Sequence, residues 1–205
     1  EAISPNRKIP AIVDPQGPGG QRLGAVDYEA FIADGDPEYA WRHPTDEWNA
    51  ISLNYTSGTT GKPKGTMHSH RDVIAACDCW PKHTLKATPD DVFTGSPPLA
   101  FTFGLGGLLV FPLRIGASTL LVERPSPEAL LDVVEKHRPT VLFTAPTSYR
   151  AMALASRGRD LASLRKCVSA GEVLPAATRK LWKDATGIDI IDGIGSTELF
   201  HIFIS

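Results

Sequence analysis

The chain has 205 residues, 42% of them hydrophobic and 21% charged, with a formal net charge of −2. That balance is that of a globular protein with a substantial core, as one large domain or one and a half. It excludes the basic footprint that nucleic acid or an anionic membrane requires, and no 18-residue apolar run is present to span a bilayer.

The three cysteines, Cys77, Cys79 and Cys167, are odd in number and lack C-x-x-C spacing. Neither a disulfide framework nor a zinc site is expected from them, and reduced thiols in a cytoplasmic protein are. Glu1 begins the sequence with no basic region ahead of an apolar stretch, so no signal peptide is expected. His68 and His70 are the one close histidine pair. His-x-His can ligate a metal from a strand, but no second cluster completes a site, which favours a packing or surface role.

Residues 1–48, rich in Pro, Gly and Asp, read as an irregular lead-in, with a short helix expected near residues 27–33. Residues 49–205 read as an α/β portion. Its first apolar run, at 51–55, leads into "TSGTTGKPKG", residues 56–65, which cannot pack a core. Gly58, Gly61 and Gly65 permit positive φ and close approach of a ligand to the main chain. Thr56, Ser57, Thr59 and Thr60 supply hydroxyls, Lys62 and Lys64 supply charge, and Pro63 stiffens the tip. Successive N–H groups in such a loop can form an anion-binding concavity, and a polyphosphate uses all of these features together. A solvated linker is the alternative. The loop has neither Walker A nor G-x-G-x-x-G spacing, so some other nucleotide chemistry is needed.

Further strands are expected at 92–94, 119–122, 140–144, 165–169 and 188–191, with helices between them. In "SPEALLDVVEKHRP", Ser126 caps, Pro127 suits the first turn and Glu128 favours the positive helix end. Leu130, Val133 and Val134 form an apolar stripe, and Pro139 ends it. "LPAATRKLWKDATG" repeats the logic, from Pro175 to Gly187. The alternation predicts an α/β fold with a mixed, largely parallel sheet and flanking helices. Such sheets bind ligands beyond the carboxyl ends of their strands. Residues 56–65, 169–172 and 192–198 all follow expected strands and are expected to line one crevice. In "DGIGSTE", Gly193 and Gly195 open the turn, Ser196 and Thr197 offer hydroxyls, and Glu198 offers a hard oxygen to Mg²⁺. A helix N-terminus with a capping hydroxyl and first-turn glutamate reads equally well.

With those motifs in one order, the sequence resembles the AMP-forming adenylating superfamily of acyl- and aryl-CoA ligases, luciferases and peptide-synthetase adenylation domains. "YTSGTTGKPKG" resembles its phosphate loop, "SAGE" its adenine-side turn and "GIGSTE" its magnesium and α-phosphate segment. Residues 66–205 resemble benzoate- and 2-aminobenzoate-CoA ligases, through "SPPLAFTFGLGGLLVFPLRIGAS", "VLFTAPTSYRAM", "CVSAGEVLP" and "IIDGIGSTELFHIFIS". Residues 25–65 resemble fatty-acyl members more, so the flavour changes at the shared phosphate loop, as in a natural mosaic or a chimera.

The resemblance implies a carboxylate that attacks the α-phosphate of Mg·ATP to give acyl-AMP, followed by transfer to CoA. It implies phosphate binding by Thr56, Ser57, Gly58, Thr59, Thr60, Gly61 and Lys64, with Lys64, Thr197 and Glu198 as the catalytic set. Thr197 would contact the α-phosphate and Glu198 would bind Mg²⁺. Gly171, Glu172 and Val173 would flank adenine, with Asp192 near its amino edge, and Gly193, Ile194, Gly195 and Ser196 would complete the nucleotide site. The acyl pocket would include Thr102, Phe103, Gly195, His201 and Ile202, with Phe103 stacking on a planar ring and His201 giving a polar contact. Aryl ligases often carry Tyr beside Ala where this chain has Phe103 beside Thr102. Core packing is the plain alternative for Phe101 and Phe103.

The expected partners are therefore a small carboxylic acid, ATP and CoA, with no nucleic acid and no membrane span. The family's ribose-binding aspartate, hinge and lid domain with its catalytic lysine would lie beyond Ser205. The 205 residues by themselves are thus expected to be a truncated AMP-binding domain that does not complete the reaction. A fatty-acyl ligase and an inert nucleotide-binding fragment are the alternatives.

Overall fold

The apolar runs between residues 92 and 191 become neighbouring strands of one sheet, because a helical connection between each and the next is long enough to bring the chain back in the same direction. The computed structural model describes residues 12, 13, 33, 35–40, 42–56 and 61–205. Of the helix expected near 27–33, only Ala33 lies among the described residues, and it is helical. Residues 35–40 and 42–48 are irregular as expected, whereas β1 (Ile12–Val13) departs from the irregular structure expected there.

β1 lies at one edge of a six-stranded sheet with β4 (Val92–Gly95), β5 (Ser118–Leu120), β6 (Val141–Thr144), β7 (Lys166–Ser169) and β8 (Ile190–Asp192). The strand order is β1-β5-β4-β6-β7-β8, and every pairing is parallel. Side chains alternate between faces, as strand geometry requires. Val141, Phe143 and Val168 enter one core with Trp80, Leu85, Phe93, Leu108 and Phe111. Leu142 and Cys167 enter the other, with Leu130, Val134, Met152 and Trp182. Covering both faces is what a parallel sheet needs.

Ten residues of helix or more alternate with the later strands. α1 (His70–Asp78) begins with a capping box between Ser69 and Asp72. A π-helical turn follows at Pro81–Leu85, and α2 (Thr102–Leu105) and α3 (Phe111–Ile115) flank a second π turn at Gly106–Val110. α4 (Pro127–His137) is capped by Ser126, whose Oγ accepts from the Ala129 N–H at 3.1 Å. α5 (Pro146–Ala155) carries Tyr149, whose buried hydroxyl lies 2.8 Å from the Leu142 carbonyl and 3.1 Å from that of Val168, tying β6 to β7. α6 (Ala176–Thr186) ends at Gly187, which takes a φ of 76° there.

The strand expected at 51–55 exists but belongs elsewhere. β2 (Ala50–Tyr55) pairs antiparallel with β3 (Gly65–Ser69), with Tyr55 opposite Gly65. Its connection, residues 56–64, is too short for the crossover that a parallel neighbour needs. Ile51, Leu53 and Tyr55 are accordingly 47%, 56% and 62% exposed rather than buried under helices. β9 (Ile194–Gly195) and β10 (Ile202–Ile204) form a second antiparallel pair.

The amino ends of the sheet are pinned by the buried Asp91. Its Oδ1 accepts from Thr140 Oγ1 at 2.6 Å and Arg165 Nε at 3.0 Å, and its Oδ2 accepts from the Thr88 N–H at 2.8 Å. Burial by itself would raise this carboxyl's pKa, but hydrogen bonds from Thr140, Thr88 and Arg165 outweigh it and hold the pKa below the usual value. The opposite, carboxyl ends of the strands are left for a ligand.

Candidate active site

At the carboxyl end of β7 the chain passes from buried Ser169 and Ala170 to Gly171, whose φ of 85° suits glycine. Beside it, Asp192 ends β8 opposite Ser169, and the Gly193 N–H donates to the Ser169 carbonyl at 3.0 Å. Gly193 and Gly195 then serve close approach. A Cβ on Gly193 would lie 2.4 Å from Ile202 Cγ2, and one on Gly195 would lie 3.0 Å from the His201 carbonyl oxygen. Their spacing is thus explained by the β9–β10 ribbon folding back on itself.

Residues 196–201 make the ribbon's turn, and no helix starts there. That removes the helix-cap reading of "STE", although Ser196 Oγ does accept from the Leu199 N–H at 3.2 Å. The turn is held against the first hairpin by His68, which is buried in β3. Its Nε2 donates to the Thr197 carbonyl at 2.7 Å, and its ring meets Phe200 edge-on at 5.2 Å between centroids. His68 is therefore a packing residue that joins the β2–β3 hairpin to the "STE" segment.

These elements enclose a cleft of about 170 Å³. Eight of the residues singled out in the sequence line it: Thr102, Phe103, Gly171, Gly195, Ser196, Thr197, His201 and Ile202. Ala170, within the 169–172 turn expected to face the crevice, lines it too, as do Asn54, Tyr55, Ala100 and Phe101, which were not expected to. Phe101 is more than half exposed, so core packing does not describe it, whereas Phe103 is half-buried against the core. The signal for Ala170 was its place before Gly171. For Asn54 and Tyr55 it was their place at the end of a strand that runs into a glycine-rich loop.

His201 is buried among aromatic rings, with centroids 4.5 Å from Phe111, 5.4 Å from Phe103 and 5.5 Å from Trp80. Burial pushes its pKa down to about 3, despite a hydrogen bond to the Phe103 carbonyl that favours the charged form. Nε2 carries the proton, because a carbonyl 3.2 Å away can only accept, and buried Nδ1 has no hydrogen-bond partner.

Other predicted residues sit around the cleft rather than in its wall. Thr56 closes the base of the hairpin: its N–H donates to the Lys64 carbonyl at 2.9 Å, and its Oγ1 accepts from the Lys64 N–H at 3.1 Å. Gly61 and Lys64 are exposed, and Ser57, Gly58, Thr59 and Thr60 lie outside the described residues. Glu172 and Val173 are exposed beyond Gly171, with Glu172 accepting from Thr147 Oγ1 at 3.3 Å. Ile194 is exposed on the ribbon. Asp192 Oδ1 is buried and has no hydrogen-bond partner among the described residues. Glu198 is exposed and borders a second cavity beyond the His201 ring. One exposed carboxylate suits Mg²⁺, which is commonly held by one or two carboxylates together with substrate phosphates. Among the described residues, no helix is long and apolar enough to cross a membrane.

Comparison with known proteins agrees with this fold. The chain is 37% identical over 203 residues to a benzoate–CoA ligase of Thauera aromatica, covering 97% of this chain and 38% of that protein. It is 37% identical to an anthranilate–CoA ligase of Pseudomonas aeruginosa, covering 91% of this chain and 36% of the relative. The first alignment runs through residues 25–65, the segment with a fatty-acyl flavour. In structure, the chain superposes on the anthranilate CoA ligase AuaEII in complex with anthranoyl-AMP with a TM-score of 0.79 and 42% identity. That match covers 90% of this chain and 36% of the other. A benzoate CoA ligase from Burkholderia xenovorans LB400 gives a TM-score of 0.70 at 36% identity, over 78% of this chain and 32% of the other. The chain thus spans less than two-fifths of the relatives it matches. The family model of AMP-binding enzymes matches residues 13–205, and the chain belongs to that family.

Proposed function

We propose that the chain is the central part of an AMP-forming carboxylate–CoA ligase that activates an aromatic acid, with residues 1–48 as lead-in and 49–205 as the AMP-binding portion. The observation that carries this reading is the single cleft in which Gly171, Ser196 and Thr197 meet Phe103 and His201. It has a polar end for a nucleotide and an aromatic end for a ring. The relatives' activities on benzoate and anthranilate support the same substrate class.

In this reading the acid's carboxylate oxygen attacks the α-phosphorus of ATP, and pyrophosphate leaves. CoA thiol then displaces AMP from the acyl carbon. Little proton transfer is needed in the first step, so positioning and charge neutralisation dominate. The loop between β2 and β3, with Thr56, Gly61 and Lys64, holds the β- and γ-phosphates. Ser57, Gly58, Thr59 and Thr60 belong to the same loop. The Thr197 hydroxyl donates to the α-phosphate. Adenine lies against Gly171, Glu172 and Val173, with its amino group donating to Asp192 Oδ1. Glu198 would hold Mg²⁺, which supplies charge neutralisation on the phosphates. Thr102, Phe103, Gly195, His201 and Ile202 enclose the ring. Because His201 Nε2 is already engaged and the ring is neutral, it offers a substrate no positive charge. The test is ATP–pyrophosphate exchange by the full-length protein with a panel of carboxylic acids. Acid-dependent exchange supports the reading, and none with any acid overturns it.

A further inference from the structure

The turn that carries "STE" holds a backbone outlier. Phe200 takes a φ of 66°, in the left-handed region that a bulky side chain rarely adopts, and its ring is buried. Its N–H donates to the Thr197 carbonyl at 3.2 Å and closes the turn. The left-handed position carries neither Gly nor Asn, so the turn's own sequence does not favour this shape. Its conformation depends on what packs against it.

His68 supplies that support from another element, through two contacts. Its Nε2 donates to the same Thr197 carbonyl at 2.7 Å, and its ring meets the strained Phe200 edge-on, with centroids 5.2 Å apart. A carbonyl oxygen has two lone pairs and can accept both bonds. Among the described residues, the bond from His68 is the only hydrogen bond between β3 and this turn. The Thr197 carbonyl belongs to the planar peptide that joins Thr197 to Glu198. Fixing it therefore fixes the directions in which both side chains leave the backbone. Thr197 lines the first cleft, and Glu198 borders the second. His68 stands three residues after Gly65, which pairs with Tyr55 where the loop 56–64 ends. One side chain thus ties the loop's hairpin to the Thr197–Glu198 peptide.

We propose that His68 is a positioning residue for adenylation, holding Thr197 and Glu198 in register with the β2–β3 loop so that ATP meets both at once. His68 does not line the first cleft and acts only through the Thr197–Glu198 peptide and the Phe200 turn. The inference rests on reading Thr197 and Glu198 as the groups that meet the α-phosphate and Mg²⁺.

The experiment compares full-length wild type with His68→Phe and His68→Gln. Phenylalanine keeps a ring against Phe200 but has no N–H to donate. Glutamine carries an amide nitrogen about as far from the backbone as Nε2. ATP–pyrophosphate exchange is measured with the aromatic acid that wild type uses best, across a magnesium titration, with folding checked by thermal unfolding. Small misplacements of groups that stabilise developing charge cost rate steeply. His68→Phe should therefore lower kcat by about tenfold or more and raise the magnesium requirement, while KM for the acid stays as in wild type. His68→Gln should restore kcat and magnesium dependence to near the wild-type values. Amide hydrogen exchange of the unliganded protein gives a readout apart from activity: residues 197–200 should exchange faster in His68→Phe and not in His68→Gln. If His68→Phe does not fold, His68→Asn, whose amide is one methylene short of the Thr197 carbonyl, is judged by the same signature. Wild-type kinetics in His68→Phe would overturn the role. So would a loss that His68→Gln shares equally, or one that leaves both the magnesium requirement and the exchange at 197–200 unchanged, the mark of a merely structural ring. Wild type without exchange on any acid would overturn the ligase reading itself, and the role in adenylation with it.

Discussion

At the residue scale, His201 makes a claim that pH can check. An unfolded chain protonates this histidine near its usual pKa of 6.5, while the folded chain keeps it neutral down to about 3. Between those values the unfolded state binds more protons. The contribution to stability is therefore complete above about pH 6.5 and is lost as pH falls toward 3. Urea unfolding at pH 7 and pH 4.5 should show wild type losing more stability than His201→Gln, whose side chain does not titrate; equal losses would mean that the imidazole is not buried as a neutral group. For Glu198 the expectation is catalytic. If its carboxylate holds Mg²⁺, Glu198→Gln should lower the exchange rate by roughly 10²–10³ and raise the magnesium requirement, the usual cost of losing one well-placed charge stabiliser. An unchanged magnesium dependence would remove Glu198 from the site. Residues such as Thr197, Gly171 and His201 were legible in the sequence because they sit in motifs with recognisable spacing. Asn54 and Tyr55 were not, since nothing in their residue type reveals that the fold turns them toward a cleft.

The element scale explains why the sheet was legible and the hairpins less so. α4 reads from its sequence alone: Ser126 caps it, Pro127 starts it, and Leu130, Val133 and Val134 face the core. β4, β6 and β7 read from short apolar runs that are buried on both faces. β2 shows an equally apolar run, yet it joins a separate antiparallel pair, because the chain length available for its connection, rather than its composition, decides its partner. The π turn at Gly106–Val110 has no periodic signal and follows from how closely His201 and Phe143 press on its glycines. The strongest polar tie among these elements is the Asp91 cluster at the foot of β4, β6 and β7. Asp91→Asn keeps the shape but weakens charge-assisted hydrogen bonds from Arg165 and Thr140. It should destabilise the fold by about 1–3 kcal/mol in urea unfolding, without altering which acid the protein prefers. A change in acid preference would mean that the two ends of the sheet are coupled.

For the whole molecule, an α/β body presents a polar and aromatic cleft at its strand ends, and two small hairpins reach it, one through Asn54 and Tyr55 and the other through Gly195, Ser196 and Thr197. Those hairpins expose Leu53, Tyr55, Met67, Ile194 and Ile204. The chain spans 38% of the benzoate–CoA ligase it matches. The central claim is that this cleft serves an aromatic acid rather than a long fatty acid, because His201 and Phe143 occupy the space the "TFGLGG" glycines leave. The most direct measurement is ATP–pyrophosphate exchange by the full-length protein with benzoate, 2-aminobenzoate, hydroxybenzoates and octanoate at matched concentrations. At least one aromatic acid should exceed octanoate by about tenfold or more, the discrimination expected of even one methylene-sized misfit. Faster exchange with octanoate than with every aromatic acid would contradict the account.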